Sequence, residues 1–136
     1  MKKHHFLWMI PFGLFFLMTS PAFGKKIALH GLPVIQTRSS SEVSHNVRLD
    51  NNQKLTNAII IMIEDGKYYW ETRDHRELTF KSMKDFDLFI DLETGGYIKV
   101  FTKNGQTRYM EHISIKRMKA FTYWGNIITY NPKVSE

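Results

Sequence analysis

The sequence contains no cysteine among its 136 residues. That absence excludes disulfide bonds, thiolate metal ligands, a cysteine nucleophile and lipid attachment at a cysteine. The sequence also lacks any Asn-x-Ser/Thr acceptor for N-glycosylation. Small secreted domains often rely on disulfides when their cores are marginal. Any folded domain in this chain must therefore be stabilised by non-covalent packing alone.

The sequence has no apolar run of membrane-spanning length either. Its longest, Phe6–Met18, is interrupted by Pro11 and Gly13, and a spanning helix needs roughly 20 apolar residues. Two lysines precede this run and small residues follow it, which is the order of a secretory signal peptide. We expect residues 1–24 to be a cleaved signal peptide, or cleavage to follow Ala22. The alternative is a buried N-terminal segment of a cytosolic protein.

A cleaved signal predicts an exported chain, periplasmic or extracellular, without a transmembrane segment in its mature part. The missing cysteine and glycosylation acceptor favour a bacterial source. Charge is modest: 19 basic and 13 acidic residues give +6, and removing Lys2 and Lys3 leaves 17 − 13 = +4. A mildly basic surface favours an anionic partner, such as anionic lipid, wall polymer or nucleic acid, or serves solubility alone.

The mature chain divides in two by pattern. Residues 25–57 show no sustained period of 2 or 3.6 residues, and they predict a loosely packed arm with one short strand near Val34. From Ala58 onward, isoleucine-rich and aromatic segments alternate with turn residues, which is typical of strands. We therefore predict one antiparallel β domain over residues 58–132.

Two dipeptides mark tight hairpins in this domain. Asp65-Gly66 and Asn104-Gly105 suit type I′ turns, which require positive φ at both central positions. Counting outward from the first turn places Ile61 opposite Trp70, on the face expected to form the core. Counting from the second turn pairs Ile98 with Glu111 on one face and, on the other face, Phe101 with Arg108, Lys99 with Met110, and Tyr97 with His112.

The remaining segments complete a meander. Residues 82–90 fit either a capped helix or a strand, and we favour the strand. Two further strands are predicted at Ala120–Trp124 and Asn126–Tyr130, broken near Gly125. Seven or eight short strands joined by tight turns predict a mainly β fold, a small antiparallel meander closed into a barrel or packed as a sandwich.

One face of the second hairpin combines aromatic and cationic side chains. Aromatic faces stack on sugars, bases or cations, while arginine and lysine bind phosphate or carboxylate. This pattern predicts a ligand-binding surface made by Tyr97, Lys99, Phe101, Arg108, Met110 and His112. The alternative is a solvated face with a cation–π contact between Phe101 and Arg108 and nothing bound.

Glu111 is the one candidate for a catalytic role. It shares a face with Ile98 and Tyr109, and burial there would raise its carboxyl pKa toward that of a general acid or base. His112 cannot assist it, because neighbours along a strand point to opposite sides. The alternative is a glutamate paired with a nearby lysine or arginine.

The sequence predicts neither a metal site nor a cofactor. His30, His45, His75 and His112 show no spacing that would share a metal on a strand or helix. No nucleophile elbow, P-loop or dinucleotide-binding glycine pattern is present. We find no resemblance to a known family.

Three function classes remain. The favoured class is an exported, non-enzymatic binding or interaction protein that uses a sheet face or an exposed edge strand for an unknown protein or anionic polymer. The second is a small secreted hydrolase of nucleic acid or cell-wall polymer, for which a concave pocket would have to hold Glu111 or a histidine within hydrogen-bonding distance of an arginine or lysine. The third is a subunit or assembly factor of an envelope structure.

Overall fold

The computed structural model describes residues 24–115 and 119–133. Its strands are β1 (Lys26–Ser39), β2 (Ser44–Arg48), β3 (Ile59–Glu64), β4 (Lys67–Trp70), β5 (Arg76–Ser82), β6 (Asp87–Ile90), β7 (Tyr97–Lys103), β8 (Gln106–Ile115) and β9 (Lys119–Tyr130), and its helix is α1 (Asn51–Thr56). The predicted mainly β, antiparallel fold is confirmed, and it is the barrel. The predicted signal peptide lies almost wholly outside the described residues.

Pairing between β1 and β9 closes the barrel. Strands β3 to β9 form a meander in which each strand pairs with the next. β1 pairs with β3 through residues 26–31 and with β9 through residues 29–39, so eight strands complete a ring. β2 is the additional strand, and it pairs with the end of β1 over residues 35–39.

Both hairpin registers are confirmed. Asp65 and Gly66 have φ values of 51° and 75°, and Asn104 and Gly105 have 52° and 73°, as type I′ turns require. Ile61 pairs with Trp70 across the first hairpin, and Ile98 pairs with Glu111 across the second. The turn dipeptides alone therefore predicted which side chains share a face.

The barrel interior is the core. Ile61 is fully buried and Trp70 is 2% exposed, so the predicted core face is confirmed. The side chains that pack with them come from every strand of the ring, among them Leu29, Ile59, Tyr68, Leu78, Phe89, Ile98, Val100 and Tyr109. An eight-stranded barrel has an interior just wide enough for side chains to fill, and aromatic rings occupy much of it here.

Tyr109 packs where the barrel closes. A Cβ atom added at Gly31 of β1 would lie 2.5 Å from Cε1 of Tyr109, and one added at Gly125 of β9 would lie 2.6 Å from the same atom. Real Cβ contacts are essentially never shorter than 3.0 Å. The two glycines thus provide the space that the Tyr109 ring occupies against the backbones of β1 and β9.

Helix α1 joins β2 to β3 and is capped on both sides. The Asp50 carboxylate accepts a hydrogen bond from the Gln53 amide at 2.9 Å, and the Gln53 side chain accepts from the Asp50 amide at 3.0 Å, which is a capping box. At its other end, Asn57 accepts a hydrogen bond from the Tyr123 hydroxyl of β9 at 3.1 Å. In the described part of the chain, no helix reaches membrane-spanning length.

The prediction of a loosely packed arm over residues 25–57 is wrong. β1 is the longest described strand, and Ala28 and Leu29 within it are fully buried. Its pairing shifts register between Ile27 and Leu29, between His30 and Gly31, and between Pro33 and Ile35. Such bulges add unpaired residues and interrupt the two-residue period, which is why the sequence shows no alternation there.

Two smaller predictions also need correction. Residues 82–90 contain the end of β5, a turn and all of β6, so they are neither one strand nor a helix. The predicted break near Gly125 does not occur, because β9 is continuous from Lys119 to Tyr130. Gly125 is not a strand breaker here. Its missing side chain makes room for Tyr109.

We predict that Gly125→Ala destabilises the barrel by about 1–3 kcal/mol, the usual cost of overpacking a filled core. The added methyl group would meet the Leu32 carbonyl oxygen at 2.3 Å and the Tyr109 ring at 2.6 Å. Urea denaturation measures the loss. Ser41→Ala is the control, because Ser41 is exposed in the turn between β1 and β2. Equal stability of the two variants would contradict this packing.

Candidate functional site

Alternation along β8 separates two kinds of chemistry. Tyr109 and Glu111 point into the barrel and are fully buried, while Arg108 is exposed and Met110 is partly exposed on the outer surface. The outer residues belong to the predicted ligand-binding surface, and Glu111 is the predicted catalytic candidate. One strand therefore carries both candidate sites, on opposite sides of the barrel wall.

The outer surface continues across the neighbouring strands. Lys99 of β7, Met110 of β8 and Trp124 of β9 lie side by side in register. Phe101 and Arg108 form the adjacent row, followed by Asn126 of β9. We call this surface the aromatic–basic face, and we define it by Lys99, Phe101, Arg108, Met110 and Trp124.

Two grooves lie on this face. One, of about 400 Å³, is lined by Phe101, Lys103, Arg108 and Trp124 together with residues of β1. The other, of about 260 Å³, is lined by Asp85, Phe86, Lys99, Phe101, Met110 and Trp124. Phe101 and Trp124 border both grooves, so a pair of aromatic side chains lies between two adjoining depressions.

On this face Lys99 makes a cation–π contact, whereas the predicted alternative assigned such a contact to Arg108 and Phe101. Lys99 Nζ lies 4.1 Å from the centre of the Phe86 ring, which is a cation–π geometry. Arg108 is the cross-strand partner of Phe101, and its Nη2 donates a hydrogen bond to Gln106 Oε1 at 2.9 Å. The guanidinium group remains exposed to solvent and available to an anion.

Tyr97 and His112, the other two predicted ligand residues, lie in the next row along the strands. Their rings stack at 5.2 Å between centroids, and His112 Nδ1 lies 3.1 Å from Thr122 Oγ1. Neither residue lines the two grooves described above. The structure therefore brings Lys99, Phe101 and Arg108 together and places Tyr97 and His112 beside them.

Sequence reasoning missed Trp124 and Phe86. Both line a groove. Trp124 lies on β9, which is separated from β8 by residues 116–118 without a turn dipeptide, and Phe86 precedes β6, so neither position could be counted from a turn. The available signal for Trp124 was its place in a predicted strand that follows the aromatic and basic hairpin.

Glu111 belongs to a buried ion pair. Its Oε1 atom accepts a hydrogen bond from Trp70 Nε1 at 3.2 Å and lies 3.0 Å from Arg73 Nη2. The Glu111 side chain is 0% exposed and the Arg73 side chain is 22% exposed. Oε2 of Glu111 has no hydrogen-bond partner among the described residues. The arrangement matches the predicted alternative of a glutamate paired with an arginine.

The loop between β4 and β5 delivers Arg73 into the barrel. The Arg73 amide donates a hydrogen bond to the Trp70 carbonyl at 3.1 Å, and Asp74 and His75 adopt left-handed backbone conformations with φ of 57° and 51°. Two such residues in succession are uncommon outside glycine. His75 stacks on Tyr69 at 4.3 Å, and this contact fixes the loop from outside.

Burial raises the pKa of the Glu111 carboxyl group to about 7, because the charged form loses its hydration inside the barrel. The Arg73 charge and the Trp70 hydrogen bond act in the opposite direction without cancelling the effect. Neither Glu111 nor Arg73 lines either groove of the aromatic–basic face. The pair is therefore placed to hold the loop, not to contact a ligand in those grooves.

The histidines of the described residues are not grouped as a metal site. Within residues 24–115 and 119–133, no three His, Asp or Glu side chains are grouped closely enough to hold a metal ion. His75 Nδ1 instead lies 2.6 Å from Glu71 Oε2 on the surface.

We predict that Glu111→Gln changes how stability depends on pH. A carboxyl group whose pKa is higher in the folded state than in the unfolded state favours folding while protonated. The wild-type free energy of unfolding should therefore fall by about 3 kcal/mol between pH 4.5 and pH 7 through this group. Urea denaturation across this range should show that this decline is absent from Glu111→Gln.

Glu77→Gln is the matched control, since the Glu77 side chain is 57% exposed and its removal should leave the decline in place. The same pH profile in wild type and Glu111→Gln would contradict the raised pKa.

Comparison with models of protein families finds no match to this chain. The curated proteins and the solved structures likewise provide no match. The function must therefore be argued from the geometry of the two sites alone.

Proposed function

We propose that this chain is an exported, non-enzymatic interaction protein that binds an anionic partner through its aromatic–basic face. The observation that carries the proposal is the pair of adjoining grooves that share Phe101 and Trp124. Aromatic groups between two depressions offer stacking surface to a ligand that occupies both, and cations at the edges supply charge recognition. Export rests on the signal-like residues 1–24.

The charge of the grooves favours an anion. Among the described residues that line them, Lys99, Lys103 and Arg108 are cations, and Asp85 contributes a single carboxylate. Exposed charges act mainly through attraction that salt screens. The proposal therefore implies that binding weakens as ionic strength rises, while the aromatic contribution persists.

The buried pair does not favour the hydrolase alternative. A general acid or base must come within hydrogen-bond reach of its substrate, directly or through one water. Glu111 is fully buried behind the barrel wall, and its closest charged partner, Arg73, holds one of its oxygens. The geometry supports a role for Glu111 in holding the barrel and a binding role for the outer face.

We predict that Phe101→Ala with Arg108→Ala lowers affinity for the anionic partner by about tenfold or more, because it removes a stacking surface and a cation together. Binding should be measured against polyphosphate, an acidic polysaccharide, single-stranded DNA and vesicles containing phosphatidylglycerol, at low and high salt. Wild type should bind at least one of these, more weakly at high salt.

Lys54→Ala with Leu55→Ala is the matched control, because it removes one cation and one exposed apolar side chain from α1 instead. Arg108→Glu is a second variant whose exposed position should not disturb folding, and circular dichroism checks each fold. Unchanged binding in both face variants, or binding to none of the four probes, would refute the proposal.

A further inference from the structure

An exposed apolar row crosses the aromatic–basic face. Met110 of β8, Trp124 of β9 and Ile35 of β1 lie side by side in register. Trp124 is 42% exposed and Ile35 is 40% exposed. Contiguous exposed apolar side chains on a soluble domain mark contact sites. Sugar rings can stack on tryptophan and phosphate groups can bind the cations, but neither offers an apolar partner to Ile35 and Met110.

Cations lie at both ends of this row. Lys99 of β7 pairs with Met110 at one end, and Arg48 of β2 pairs with Ile35 at the other. Neighbouring strands lie about 4.8 Å apart, so four steps from Lys99 to Arg48 follow the curved wall of the barrel for about 19 Å. Arg108 and Lys103 add positive charge alongside. The surface thus has an apolar centre with a basic border.

This distribution fits the interface of an anionic membrane. Tryptophan is favoured at the level of the lipid headgroups, apolar side chains gain by entering the boundary with the acyl chains, and lysine or arginine near an anionic leaflet is attracted to the headgroups. A soluble anionic polymer would use the basic border and Trp124 but leave Met110 and Ile35 in water. A lipid surface uses both.

We propose that the partner of the aromatic–basic face is an anionic phospholipid surface, onto which the row Met110–Trp124–Ile35 inserts while Lys99, Arg48 and Arg108 contact the headgroups. The inference rests on the proposed function and adds to it the chemical class of the partner. It describes reversible attachment to the membrane surface by one side of the barrel.

The experiment compares binding to vesicles of phosphatidylglycerol with phosphatidylcholine and vesicles of phosphatidylcholine alone. The chain has three tryptophans, Trp8, Trp70 and Trp124, and Trp70 is buried in the core. The difference in emission between wild type and Trp124→Phe isolates Trp124. Only the anionic vesicles should bind, and the Trp124 emission should shift to shorter wavelength as the ring leaves water.

Ile35→Ser and Met110→Ser should each weaken binding to the anionic vesicles, by about tenfold when combined. Leu92→Ser is the matched control, because Leu92 is 76% exposed in the turn between β6 and β7 and should have no effect. All variants share the same N-terminus, so a difference between them reports the substituted residues.

Binding to the vesicles with no shift of Trp124 emission and no effect of Ile35→Ser with Met110→Ser would overturn the insertion. Binding to polyphosphate, polysaccharide or DNA but not to vesicles would overturn the lipid assignment and leave the proposed function standing. If the double variant Phe101→Ala, Arg108→Ala binds vesicles and polymers as strongly as wild type does, the proposed function itself is refuted.

Discussion

The contact of the Tyr109 ring with the backbones of β1 and β9 is the constraint on which the rest of this structure depends. It exists because Gly31 and Gly125 have no side chains at the two points where the ring lies closest. Closing the ring of strands leaves the eight barrel strands with a partner on each side, apart from the flared end where β2 joins β1. Closure also gives β8 one side that faces the core and one side that faces solvent. That division places the ion pair inside and the aromatic–basic face outside.

The interior pair has a structural consequence that reaches the surface. Removing a carboxylate and a guanidinium from water is costly unless each finds partners, and Glu111 finds Trp70 and Arg73. Arg73 comes from a loop whose left-handed residues, Asp74 and His75, are unfavourable in isolation. The ion pair joins this loop to β8, while the packed core stabilises the whole. Catalysis is not needed to explain why a carboxylate is buried there.

Local chemistry predicted the hairpins, and distant packing determined the rest. Asp65-Gly66 and Asn104-Gly105 specify turn type and register at once, so the burial of Glu111 and the exposure of Arg108 follow by counting. Residues 25–57 were mispredicted because the bulges of β1 interrupt its alternation. Trp124 was missed because residues 116–118, which separate β8 from β9, contain no turn dipeptide from which its pairing with Met110 could be counted.

The central claim is that a closed barrel divides these strands into buried and exposed positions, residue by residue, and the absence of cysteine allows a direct measurement. Single substitutions along β7, Ile98→Cys, Lys99→Cys, Val100→Cys and Phe101→Cys, place one thiol at each successive position. The account predicts rapid modification by a water-soluble thiol reagent at 99 and 101, and strong protection at 98 and 100, where the native side chains are buried. Similar rates at all four positions, or the opposite alternation, would contradict it.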